Sequence, residues 1–156
     1  MGLFDKFLNK KESNASYSPT SEHEAAFAIL YSVVSADGNV TDSETNGLVR
    51  GLMRKRRYVG VEWSPVFKRV LDALNSLPPS EVIKNSAGLI PDDFRDTIFC
   101  LAVDAIMHDG DLDPDEFKII EYLQPLLNID SELANSVIRV LMIKNSEDIP
   151  LSESED

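Results

Sequence analysis

Apolar residues recur at three- and four-residue spacing along most of the chain, and two-residue alternation is missing. That periodicity predicts helices and no strand. The first predicted helix covers about Glu22 to Ala36 and is apolar on most sides, through Ala25, Ala26, Phe27, Ile29, Leu30, Val33 and Val34. A helix of this kind belongs in the centre of a core. The second starts after Thr41 and reaches about Arg57. A third spans about Pro65 to Ser76, with Ser64 as its expected cap and Val66, Phe67, Val70, Leu71 and Leu74 facing inward. A short helix follows Pro79 and stops near Gly88. The next runs from about Pro91 to His108, another from Pro114 to Leu127, and the last from after Asp130 to Lys144. The fold class expected is all-α: a compact bundle of about seven helices. The folded part is expected at 21–144. Residues 1–20 read as a flexible N-terminal segment and 145–156 as a disordered acidic tail.

The pattern repeats. Phe27 to Glu44 reads FAILYSVVSADGNVTDSE, and Phe99 to Glu116 reads FCLAVDAIMHDGDLDPDE, 72 residues later. Phe27 pairs with Phe99, Asp37 with Asp109, Gly38 with Gly110, Val40 with Leu112 and Glu44 with Glu116. Each copy is a buried helix, an acidic turn and an amphipathic helix. The duplication suggests a pseudo-two-fold bundle with the two acidic turns near one another. The stretch 63–91 between the copies matches no motif.

Capping explains much of both turns. Glycine after a helix tolerates the left-handed conformation that stops it. Thr41 with Glu44, and Asp113 with Glu116, have the spacing of a capping box. Pro114 suits a first helical position, and Asp115 and Glu116 suit the positive end of the helix dipole. Asp109 and Asp111 are left without such a role. The carboxylates of Asp109, Asp111, Asp113, Asp115 and Glu116 repel one another unless something screens them. Hard divalent cations want several oxygen ligands. The spacing Asp-Gly-x-apolar-x-x-x-Glu matches the second half of an EF-hand loop, but Val33 and Ser35, or Ala105 and Met107, stand where its first ligands should be. Two readings stay open: capping with solubility alone, or a cation held with help from elsewhere.

Charge narrows the partners. The chain has 156 residues and a net charge of −12. Residues 1–77 carry ten Lys/Arg against nine Asp/Glu, and residues 78–156 carry five against eighteen. An acidic half disfavours nucleic acid, whose binding depends on neutralising phosphates. It suits a cation or a protein partner. The one basic cluster is Arg50, Arg54, Lys55, Arg56 and Arg57, read as a solvated helix end or a contact for an anionic partner. In the segment 3–11, Leu3, Phe4, Phe7 and Leu8 share a face beside lysines, which suits weak, reversible contact with a membrane surface. The longest near-apolar run carries Asp104 and is too short to span a bilayer. Cys100 is the only cysteine, so the expected compartment is the cytoplasm. His108 reads as a helix-end residue paired with Asp104 rather than as a ligand for a softer metal. No nucleophile elbow, phosphate loop, HExxH or Cys/His pair occurs, and a non-enzymatic protein is expected.

The helix followed by ADGNVTDSE or HDGDLDPDE resembles the TerB-like tellurite-resistance proteins, over about residues 22–130. The start MGLFDKF is similar to that family's start. The resemblance implies a compact all-α fold with an internal duplication. It also implies a role in bacterial stress or tellurite resistance, acidic residues that bind metal, and association with membrane-linked complexes. The same module occurs in membrane-anchored DnaJ-like co-chaperones. Matched to the motif, the metal residues are Asp37 and Glu44 in the first turn and Asp109 and Glu116 in the second, with Asp111 and Asp113 as additions. The cofactor this implies is Ca²⁺, Mg²⁺ or Mn²⁺ ahead of Zn²⁺. Protein partners are expected, at the inner face of the membrane or in the cytoplasm.

Overall fold

A computed structural model describes residues 2–9, 15–36, 40–107 and 110–148. Eight α-helices occur among them, and no strand: α1 Leu3–Leu8, α2 Glu22–Val34, α3 Asp42–Met53, α4 Trp63–Ser76, α5 Pro79–Ala87, α6 Arg95–Ile106, α7 Pro114–Leu126 and α8 Ser131–Lys144. Short 3₁₀ turns at Arg56–Tyr58 and Asp92–Phe94 join α3 to α4 and α5 to α6. The all-α bundle expected from periodicity is therefore the fold, with one helix more than the seven expected.

α2 is the axis. Every residue from Glu24 through Val33 is buried. Its alanines let neighbouring helices come close, and Phe27, Ile29 and Leu30 fill the space between them. α5 and α6 pack most extensively on it, and α3 and α4 cover its remaining sides. α7 and α8 then pack on α6. Each large apolar side chain taken from water here contributes about 1.5–3 kcal/mol, so the shared core around α2 dominates the favourable side of folding.

The 72-residue repeat is visible in the elements. α2 ends at Val34 and α6 at Ile106; α3 starts at Asp42 and α7 at Pro114. Phe27 and Phe99 are both fully buried. The stretch 63–91 now has a structural role: it supplies α4 and α5, which close the sides of α2. α4 starts at Trp63, two residues before the expected Pro65, and Ser64 is not its cap; the N-cap position is Glu62 and makes no side-chain capping bond. Tertiary packing explains the shift. The Trp63 ring lies 5.9 Å from His23, 6.1 Å from Tyr58 and 6.4 Å from Phe27. α3 stops at Met53 rather than near Arg57, because the chain turns to bury Tyr58 against Phe94, with ring centroids 5.6 Å apart.

The two ends of the chain depart from expectation. Within 1–20, Leu3–Leu8 form a docked helix rather than a flexible segment. Phe7 is fully buried, with its ring 5.3 Å from Tyr122 of α7. The Leu3 amide donates to the Asp115 carboxylate at 2.9 Å. A six-residue helix does not hold itself together in water, so these contacts maintain it. The apolar face expected to touch a membrane faces inward, and of its large side chains only Leu8 is exposed. At the other end, Asn145 is buried and belongs to the fold; residues 149–156 lie outside the described residues.

Phe7→Ala removes a ring from a filled site and should destabilise the domain by about 3–5 kcal/mol. Urea unfolding followed by far-UV circular dichroism measures it. A change under half a kilocalorie would mean that α1 does not stay docked in solution.

Candidate functional site

Both acidic turns are built around the N-cap of the next helix. At the first, the Glu44 amide donates to Thr41 Oγ1 at 3.1 Å. The Thr41 amide and hydroxyl donate in turn to Glu44 Oε1 at 3.4 and 3.1 Å. At the second, the Glu116 amide donates to Asp113 Oδ1 at 2.8 Å, and the Asp113 amide to Glu116 Oε1 at 3.0 Å. Both are complete capping boxes, as the i, i+3 spacing predicts. Val40 and Leu112, one residue before each cap, both pack against the core.

Of the six residues matched to a metal role, four are described. Glu44, Asp113 and Glu116 are engaged as capping groups, and Glu116 is buried. Asp111 is exposed, and its carboxylate accepts from the amide of Leu112 at 2.9 Å. Asp37 and Asp109 lie outside the described residues, as do Gly38 and His108. Asp111, Asp113 and Glu116 share one turn. Glu44 stands in the other, beside Tyr31. Burial raises the Tyr31 phenol, the Thr45 hydrogen bond offsets part of this, and the charges of Glu44 and Asp42 add to the rise. Among the described residues, no three His, Cys, Asp or Glu side chains are grouped to hold a metal ion.

The second turn is wedged into the fold. Gly110 has φ +73, a left-handed conformation that favours glycine, but it is not the stop expected for α6, which ends at Ile106 with an extended C-cap at Met107. A Cβ there would stand 2.6 Å from the Met142 carbonyl oxygen and 2.9 Å from Ser146 backbone atoms. The turn therefore presses against the C-terminal end of α8. That end is pinned to α6: the Asn145 amide nitrogen donates to Asp104 Oδ1 at 2.7 Å, and Lys144 Nζ lies 3.5 Å from the same oxygen. The partners described for Asp104 are thus at the end of α8; the expected Asp104–His108 pair lies outside the described residues. The turn also meets the chain's beginning, because Asp115 accepts the Leu3 amide so closely that a Cβ on Gly2 would come within 2.7 Å of Asp115 Oδ2.

Sequence reasoning missed a further polar centre. Glu24 is fully buried. Its carboxylate accepts from Tyr17 Oη at 2.7 Å, Thr20 Oγ1 at 3.0 Å, and Arg69 Nε and a terminal Arg69 nitrogen at 2.7 and 2.6 Å. Burial alone would raise this carboxyl. The hydrogen bonds from Tyr17, Arg69 and Thr20 outweigh it and hold the group below its ordinary value. Burial, reinforced by the hydrogen bond and charge of Glu24, pushes the Tyr17 phenol well up. Ser21 and Glu24 repeat the cap spacing of the two acidic turns, and Ser21 does cap α2. That recurrence is the only sequence signal for Glu24; Arg69, 45 positions away, carries none. The cluster ties residues 17–24 and α4 onto the start of α2. Cys100 is half-buried, and burial with the charges of Asp96 and Asp104 raises its thiol, which disfavours the reactive thiolate.

No family model and no curated protein matches the chain. Among solved structures, it is similar to a protein of unknown function from Porphyromonas gingivalis W83, with 20% identity and a TM-score of 0.49 over 83% of this chain and 97% of that one.

Gly110→Ala should cost about 2 kcal/mol or more, from the left-handed backbone and from the displaced end of α8. Its amide exchange should speed up selectively around residues 141–146, while α2 stays protected. A loss spread evenly over the molecule would contradict the wedge. Glu24 predicts a pH dependence of definite sign. Its folded carboxyl titrates below the unfolded value of about 4.3. The stabilisation it contributes is therefore complete above that value and is lost as pH falls through the folded one. Unfolding free energy measured from pH 6 to pH 3 should fall more steeply in the native chain than in Glu24→Gln.

Proposed function

We propose that this chain is a non-enzymatic TerB-like stress or tellurite-resistance protein that takes up a divalent cation at its acidic turns and passes the change to a protein partner. The supporting observation is the contact of the second turn with α8, through Gly110 against Met142 and Ser146. A cation of the Ca²⁺, Mg²⁺ or Mn²⁺ type would relieve repulsion among Asp109, Asp111, Asp113 and Asp115. Any tightening of that turn is felt first at the end of α8. Val140, Met142 and Ile143 are exposed there, and they are the side chains offered to the partner. On this reading the protein works in the cytoplasm, with its partner complex at the inner face of the membrane. Among the described residues no helix is long and apolar enough to cross that membrane.

The second reading is a metal-independent interaction module. It is favoured by the capping boxes, which already use Glu44, Asp113 and Glu116 as helix starts.

Thermal melting with Ca²⁺, Mg²⁺, Mn²⁺ and Zn²⁺ separates the two. A cation bound only by the folded state, at a hundred times its Kd, adds about 2.7 kcal/mol, which is about 5–10 °C for a domain this size. The rise should vanish in Asp109→Asn/Asp111→Asn. No rise with any cation, or an equal rise in the variant, would sink the cation reading. Partner capture that is insensitive to chelator would then favour the second.

A further inference from the structure

The basic cluster is used unevenly. Arg57 pairs with Glu22 and Asp93, at 3.3 and 3.2 Å, and stacks 4.3 Å over the Phe94 ring. It is a structural residue. Arg50, Arg54 and Arg56 are exposed, Lys55 is partly so, and none of the four forms an ion pair among the described residues. Two large apolar side chains flank them in sequence: Met53 is 55% exposed and Val59 77%. In a chain with a net charge of −12, this is a concentrated positive surface with apolar ground beside it.

α3 packs on α2 and also meets α6. Gly51 of α3 faces Leu101, and the charge of Lys55 reaches the Cys100 thiol. One helical turn further along α6 is Asp104, which Asn145 and Lys144 already occupy. Positions 100 and 104 are neighbours on a helix surface. The end of α8 therefore meets α6 one turn from the residue that the charge of Lys55 reaches, and the described chain ends three residues after Asn145. Residues 149–156 beyond it read IPLSESED. Eight residues reach at most about 28 Å when extended. The segment offers Glu153, Glu155 and Asp156 after Glu147 and Asp148, and it opens with Ile149 and Leu151. Charge and apolar character both complement the patch.

We propose that the surface formed by Arg50, Met53, Arg54, Lys55, Arg56 and Val59 is the docking site for this chain's own acidic segment, residues 149–156. The segment covers the one strongly basic surface among the described residues and competes with any acidic ligand for it. Tethering gives it a millimolar effective concentration, so weak contacts suffice.

The test uses the full chain, with a nitroxide on Ser154→Cys in a Cys100→Ala background and ¹⁵N amide spectra. Amides of residues 50–59 should broaden selectively. The effect should disappear near 1 M salt, where the Debye length is about 3 Å, and in Arg50→Glu/Arg54→Glu/Arg56→Glu. Dispersed spectra confirm that this variant is folded. A second variant, Glu153→Lys/Glu155→Lys/Asp156→Lys, leaves the helices untouched and should shift the same amides. Broadening that is absent, that centres elsewhere, that survives the arginine changes, or that arises only between spin-labelled and ¹⁵N-labelled copies in a mixture would overturn the proposal.

Discussion

Everything else in this fold depends on α2 being buried on all sides. A helix apolar around most of its circumference cannot lie on a surface. It has to be enclosed, and α3, α4, α5 and α6 enclose it. That requirement gives a purpose to 63–91, a stretch with no chemical motif. Without α4 and α5 the sides of α2 that carry Phe27 and Ala28 would face water. The same requirement makes the few polar groups on α2 costly. Glu24 is tolerated because Tyr17, Thr20 and Arg69 satisfy it. The result is a carboxylate that fastens an upstream segment and a distant helix to the start of the central one.

The acidic turns look alike in sequence, and residues 37–39 of the first and 108–109 of the second lie outside the described residues. Each stops a buried helix, pins an apolar residue to the core and starts the next helix with a capping box. The first turn stands beside Tyr31. The second is held between the start of the chain, through Leu3 and Asp115, and the end of α8, through Gly110 and Met142. Duplication supplied two equivalent units, and packing made the second a junction between distant parts of the chain. The proposed cation role rests on the second turn for that reason.

Charge is also organised by the fold. The balance between the two halves of the chain is a statement about composition, and the folded molecule redistributes it. Arg57 is drawn into a pair of ion contacts and an aromatic stack, Arg69 reaches Glu24, and Arg95 donates to the Leu126 carbonyl at the end of α7. Exposed positive side chains remain most closely spaced along the chain at the end of α3. The acids of α6 are used differently: Asp104 is neutralised by the end of α8, so that helix is clamped by a buried asparagine rather than by apolar contact alone.

The sequence alone determined what depends on near neighbours. Helical periodicity and both capping boxes are governed by spacings of a few residues, and their physics is complete within one turn of chain. It also determined which helix must be central, because an all-round apolar surface has no other place to go. Tertiary structure alone decided the rest. That Leu3–Leu8 is a docked helix depends on an amide–carboxylate contact between residues 112 positions apart. That Glu24 is buried and ionised depends on an arginine 45 positions away, and the end of α8 depends on an aspartate 41 positions back. Such partners leave no periodic trace, since a hydrogen bond between distant residues requires only that the fold bring them together. The second acidic turn lies on the boundary between these two kinds of information: its cap is local, while its neighbours, Leu3 and the end of α8, are brought to it by the fold.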